Sequence, residues 1–152
     1  MPIKRFQISG VRNLQPLSLT PASGVNFIYG ENGSGKSSLL EALYILASGK
    51  SFRHHLLKPV IQHEMDECVL FAEIDDNRLG NARLGVQRSR SGDKAIKLNG
   101  EALHSQAEAS SWLPIQIIEP NTFKLLSGSP QERRQFIDWG VFHVEHSFLD
   151  QW

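Results

Sequence analysis

The chain has almost no cysteine, no net charge and no long apolar run, and each absence removes a class of protein. Its single cysteine, Cys68, excludes an internal disulfide, and its place in CVLFAEI reads as a small buried residue. No apolar stretch approaches the roughly 20 residues that cross a bilayer, and MPIKRFQISG lacks the apolar core of a signal peptide, so a cytoplasmic location without membrane attachment is the expectation. Sixteen basic residues balance sixteen acidic ones, so no long-range field draws the chain to nucleic acid; such a partner would need a local patch. There is no internal repeat, low-complexity tract or linker. What is present is 152 residues, 40% hydrophobic and 21% charged, the composition of a globular domain able to bury a core.

Apolar residues recur with a period near two from Ile3 to Leu19, interrupted at Gly10 and Asn13, which predicts two antiparallel strands. VNFIY (25–29) reads as a short buried strand. SLLEALYILASGK follows with Leu39, Leu40, Leu43, Leu46 and Ala47 at helical spacing and Gly49 suited to end the helix. Segments 68–76, 81–89 and 94–100 predict an antiparallel meander, with SGD and Asn99-Gly100 as turns. A short helix is expected over 105–113, and the proline-bounded run PIQIIEP (114–120) reads as a central strand. Ser129-Pro130-Gln131-Glu132 has the composition of a capping box and opens a helix through PQERRQFIDWGVF; Phe142, Phe148, Leu149 and Trp152 then call for a packing partner.

Between the strand at 25–29 and the first helix lies GENGSGKSS. Gly30-Glu31-Asn32-Gly33-Ser34-Gly35-Lys36-Ser37 matches GxxxxGK[ST] at every defined position, in the strand-to-helix context that the motif requires. Glycines let the backbone turn its N–H groups inward, and the helix adds its unpaired first amides and the positive end of its dipole. Lys36 supplies charge at the β and γ phosphates, Ser37 a hydroxyl for Mg²⁺, and Ser38 completes the stretch. All nine residues, the non-glycine loop members Glu31, Asn32 and Ser34 included, are expected to bind phosphate. A chance match is expected on the order of once in a few hundred chains of this size, which favours a nucleoside triphosphate site over an accidental turn.

Hydrolysis needs a further acid at the end of an apolar strand to hold metal and position water. Asp75 and Asp76 end one candidate strand and Glu119 another, but Glu73 and Gln116 interrupt those runs, so no catalytic residue is assigned. The histidines at 54–55 and at 143 and 146 have no cysteine or third histidine at ligand spacing and read as surface residues. Arg83, Arg88, Arg90, Lys94 and Lys97 gather on the meander; Arg88 and Arg90 would share a strand face, and with Lys94 they are candidates for DNA backbone contact or for a solvated sheet face.

Three motifs, ISGVRNL, FIYGENGSGKSSLLEALYILASGKSFR and FKLLSGSPQERRQFIDWGVFH, together resemble the N-terminal part of the RecF family of DNA replication and repair proteins, whose ABC-type ATPase heads are shared with SMC proteins. The resemblance implies an α/β P-loop NTPase: an ABC-type ATPase lobe with an antiparallel β subdomain over residues 1–120, and the start of a helical lobe over 121–152. It implies that Arg12 and Asn13 lie beside the P-loop and that Arg53 is similar to an arginine that reaches toward the γ-phosphate or DNA. Arg12-Asn13 as a surface turn, Arg53 as a helix-end cation, and Arg133 or Arg134 paired with Asp138 are the bland alternatives. Gln116 and Asn121 are candidates for sensing the γ-phosphate, since Pro120-Asn121-Thr122-Phe123 stands where the family often reads PEDL.

The function implied is that of an ATP- and Mg²⁺-dependent protein that dimerises on double-stranded DNA at gap junctions. It would act with RecR and RecO to load RecA in recombinational repair, replication restart and the SOS response. Signature and Walker B motifs are not found in the chain, so little hydrolysis is expected from it alone. The rival readings are a small-molecule or nucleotide kinase, which would need an acceptor site and an arginine-rich lid, and a silent nucleotide-binding fragment.

Overall fold

Alternating residues build the sheet. The computed structural model describes residues 3–76, 80–119 and 128–145. Six antiparallel strands are ordered β2-β1-β3-β4-β5-β6: β1 is Ile3–Ser9, β2 Leu17–Leu19, β3 Glu67–Asp76, β4 Gly80–Ser89, β5 Lys94–Leu98 and β6 Glu101–Ala102. Register puts Phe6 opposite Ala72 and that residue opposite Leu84, and Ile8 opposite Leu70 and that residue opposite Val86, so the even-numbered side chains share one face. That face, with Ile74, Ala82 and Ile96, is the core. Each fully buried leucine or isoleucine in it contributes about 2 kcal/mol. Asn99 (φ 53°) and Gly100 (φ 95°) make the two-residue turn that returns β5 to β6.

Two helices cover the core face: α1 (Lys36–Ser48) and α2 (Gln106–Trp112). Ser105 caps α2, accepting from the Glu108 amide at 3.2 Å. Side chains of α2 then satisfy the carboxyl end of α1: Gln106 Nε2 and Ser110 Oγ both donate to the Ala47 carbonyl, at 3.0 and 2.7 Å. Chain 1–115 forms one compact unit and 116–152 a second, whose helix α3 runs Pro130–Val144. Arg133 of α3 donates to the Gly128 carbonyl at 3.0 Å. Among the described residues no helix is long and apolar enough to cross a membrane.

Three expectations need correction. VNFIY is not a strand: residues 25–29 lack a ladder partner, and Phe27 and Tyr29 are 86% and 92% exposed. Residues 114–119 of PIQIIEP likewise form no strand, and Ile118 is exposed. Both are apolar enough for a sheet interior, but a strand exists only where a neighbour accepts its hydrogen bonds. On the predicted apolar face of α1, Leu46 and Ala47 are buried and Leu39 and Leu43 pack half-buried against the core, but Leu40 is exposed, and Ser38, Glu41, Ala42 and Ile45 complete the buried face. Asn121, His146, Phe148, Leu149, Trp152 and the side chain of Glu132 lie outside the described residues.

Gly10 ends β1 at φ 71°, and a Cβ there would collide with the Glu67 backbone carbonyl. Neither the conformation nor the neighbour can give. Gly10→Ala is expected to cost about 2 kcal/mol or more, read as a lower urea midpoint with unchanged slope.

Candidate nucleotide-binding site

The loop between residue 30 and α1 is bent by Gly30, Gly33 and Gly35 at φ 149°, 85° and 94°. Gly35 is the N-cap of α1, in the left-handed region, and no side chain caps the helix. A Cβ on Gly35 would lie 2.6 Å from Leu14 Cδ2, so glycine is required both by the backbone and by the approach of the β1–β2 connection. The first turn of α1 carries no acid, which leaves its amides and dipole uncompensated for an anion. Lys36 folds over the loop, with Nζ donating to the carbonyls of Gly30 (2.9 Å) and Glu31 (2.7 Å). The Ser34 amide closes on the Glu31 carbonyl at 3.2 Å. Ser37 is exposed on the first turn, and Ser38 is buried beneath it.

Glu31 and Asn32 are both exposed, and Asn32 sits with Gly33 in the turn that the Ser34-to-Glu31 bond closes. The loop is built from backbone groups at these two positions: Glu31 lends its carbonyl to Lys36 and to Ser34, while Asn32 spans the turn with its side chain in solvent. The groups that hold Lys36 and Gly33 are the carbonyls of Gly30 and Glu31 and the amide of Asn13.

Asn13 reaches this loop. Its Nδ2 donates to the Gly33 carbonyl at 2.8 Å, and its Oδ1 accepts from Ser38 Oγ at 3.3 Å. Arg12, at the unusual φ of 45°, turns the other way and grips Glu41 of α1, Nε to Oε2 at 2.6 Å and Nη2 to Oε1 at 3.0 Å. Ser51 Oγ also donates to Glu41 Oε1, and Arg53 Nη1 stands 3.8 Å from Oε2. The Arg12 side chain is 20% exposed and that of Arg53 is 42%, so the second arginine is the looser of the two. Burial pushes the Glu41 carboxyl up, but hydrogen bonds from Arg12 and Ser51 and the charges of Arg12 and Arg53 outweigh it, holding the pKa below the ordinary 4.5. The buried polar hub at Glu41 is absent from the motif-based reading. Its signal was one acid at i+3 from Ser38 and i−4 from Ile45, on the stripe that the helix buries.

The other candidates are dispersed. Arg88 turns inward, donating from Nη2 to Gln106 Oε1 at 3.1 Å and to the Gly49 carbonyl at 3.5 Å; burial lowers its pKa, and its Nε has no partner among the described residues. Arg90 lies just past β4 and donates to the carbonyls of Met65, Ile61 and Gln62. Lys94 is exposed on β5. Asp75, next to last in β3, is in an ion pair with Lys4 at 3.0 Å, on an antiparallel strand of the meander. Cys68 is buried, its thiol pushed up to about 11 by desolvation. Among the described residues no group of three histidine, cysteine or acidic side chains is placed to hold a metal ion.

Comparison with known proteins identifies the fold that carries this loop. Over its whole length the chain is 46% identical to the DNA replication and repair proteins RecF of Stutzerimonas stutzeri (strain A1501) and Pseudomonas syringae pv. tomato, and it spans 41% of the length of each. It superposes with a TM-score of 0.86 on the recombination mediator protein RecF with ATP in the RecFOR pathway, at 27% identity, covering 96% of this chain and 39% of that one. An SMC ATPase solved in a study of ATP-driven dimerisation has the same fold, with a TM-score of 0.73 at 18% identity over 91% of this chain and 99% of that one. The ABC-type ATPase-head fold and the resemblance to RecF's N-terminal part are thereby borne out, and the kinase reading is not favoured. Residues 2–131 match the model of the RecF/RecN/SMC N terminal domain, and the chain belongs to that family.

Proposed function

We propose that this chain is the ATP-binding part of a RecF-like DNA repair protein, with the triphosphate held by Gly30 to Ser38 and Mg²⁺ on Ser37. The observation that carries this reading is the loop itself. Three left-handed glycines, an uncapped helix N-terminus and Lys36 converge on one exposed surface. The residues fit Mg²⁺ as far as one hydroxyl on the first turn of α1 allows. The two lysine bonds to loop carbonyls are of the kind that phosphate oxygens replace on binding. Glu31, Asn32 and Ser34 take part through their backbone, Asn13 shapes the loop, and Arg53, exposed and held by one long contact, is the arginine free to move toward an anion.

At the level of the whole protein, the proposal is that 1–120 is lobe I of an ABC-type head and 121–152 the beginning of lobe II. An apolar groove of about 600 Å³, lined among others by Phe6, Phe27, Tyr29, Leu40 and Leu43, supports that reading. Stretch 25–29 has the composition of a central strand, and the relatives are more than twice as long as this chain. The longer protein would dimerise with ATP on double-stranded DNA at gaps and work with RecR and RecO to load RecA in the cytoplasm. On the meander, Lys94 offers an exposed cation to a DNA backbone, while Arg88 and Arg90 already hold backbone carbonyls.

The acids that end β3, Asp75 and Asp76, lie on an antiparallel strand of the meander, where Asp75 is paired with Lys4; no acid is assigned to hold metal and position water, and this chain alone is expected to turn over almost no ATP. A radiolabelled phosphate-release assay should give background rates with and without duplex DNA, and full-length protein should give slow, DNA-stimulated release. Robust turnover by the pure chain would overturn the division of labour proposed here.

A further inference from the structure

We propose that Glu41 is a positioning residue for phosphate binding, acting through Arg12 and Asn13 on the Gly33 carbonyl of the loop. The inference rests on the ATP-binding reading above and adds a residue that touches no phosphate. Glu41 is 0% exposed on the helix that begins at Lys36. A carboxylate in such a place is costly unless it is paired and hydrogen-bonded, and here both oxygens are engaged, by the fork of Arg12 and by Ser51.

What the pair holds is a turn. Leu14 N donates to the Val11 carbonyl at 2.9 Å and Arg12 N to the Val60 carbonyl at 2.8 Å, which keep Arg12 at a φ that a non-glycine residue adopts reluctantly. The two residues that follow Arg12 then meet the loop at three points: Asn13 Nδ2 on the Gly33 carbonyl, Asn13 Oδ1 on Ser38 Oγ, and Leu14 against Gly35. A peptide carries its carbonyl and its N–H on opposite sides, so fixing the Gly33 carbonyl also holds the Ser34 N–H toward the Glu31 carbonyl and keeps the turn of the loop closed. The loop thus depends on a turn whose other end is clamped to α1 by Glu41. A loop whose turn is held in advance binds an anion without first paying to be ordered.

The test is calorimetric titration of ATP·Mg and of ADP·Mg into the full chain and its variants. Glu41→Gln keeps the shape and halves the charged fork. It is expected to weaken both nucleotides about tenfold and in equal proportion, because the loop and not the γ-phosphate is disturbed. Asn13→Ala, at an exposed position, should show a similar loss. The double variant should lose little more than either single one, because both act through one turn. Should Glu41→Gln fail to fold, Arg12→Lys retains a cation opposite Glu41 while losing its two-pronged grip, and should show the same paired loss. Wild-type affinity in Glu41→Gln or Arg12→Lys, or losses that multiply in the double variant, would overturn the proposal. If wild type and Lys36→Ala do not differ, it is the ATP-binding reading itself that fails.

Discussion

Lys36→Ala is expected to lower the affinity of the chain for ATP·Mg by on the order of a hundredfold, with its folding unchanged. The Nζ donates to two loop carbonyls and sits over the exposed loop, so its removal strips no core contact. With phosphate present the ammonium would make charge-assisted hydrogen bonds instead, worth about 3 kcal/mol at the upper end, and no other side chain of the loop carries positive charge. Calorimetric titration reads the loss directly, and thermal unfolding without nucleotide provides the control. Equal affinity in wild type and variant would refute the assignment of this lysine.

Glu41→Ala is expected to destabilise the first unit by about 3 kcal/mol, since it leaves the Arg12 guanidinium without its carboxylate partner in a largely buried place. Denaturant midpoints measure it. The same carboxylate gives the fold an acid limit. Its pKa is lowered in the folded chain, so its contribution is fully present above the ordinary 4.5 and is lost as pH falls below that value through the folded-state pKa. Wild-type stability should therefore fall more steeply with acidification below about 4.5 than that of Glu41→Gln, which has no charge there to lose. Parallel pH profiles for the two chains would show that the hub contributes nothing through its charge.

Local signals made much of the fold legible. The glycine-bounded helix, the meander with its Asn99-Gly100 turn, the short helix after residue 105 and the antiparallel start each follow from periodicity and turn chemistry within a few residues. The loop was legible because its chemistry is written contiguously, although a motif does not say which of its members act through side chains; Glu31 lends its carbonyl to Lys36 and to Ser34. VNFIY and PIQIIEP were misread because an apolar run signals a tendency to be buried and says nothing of the partner that must supply hydrogen bonds. Glu41 was missed for a related reason. Its partners Arg12 and Ser51 lie 29 and 10 residues away, and only the folded chain brings them together. The resemblance placed Arg12 and Asn13 near the nucleotide as a pair. The structure divides them, giving Asn13 to the loop and Arg12 to the helix.

The central claim is that the surface made by residues 30–38 receives the phosphates of ATP. It is tested most directly by following the backbone amides of the isotope-labelled chain while ATP·Mg is added. The account predicts saturable shifts at Asn32, Gly33, Ser34, Gly35, Lys36 and Ser37, with Asn13 moving in step because it holds the Gly33 carbonyl, and none of them in Lys36→Ala. Loop amides that stay still at saturating ATP·Mg, or shifts confined to the meander, would contradict it.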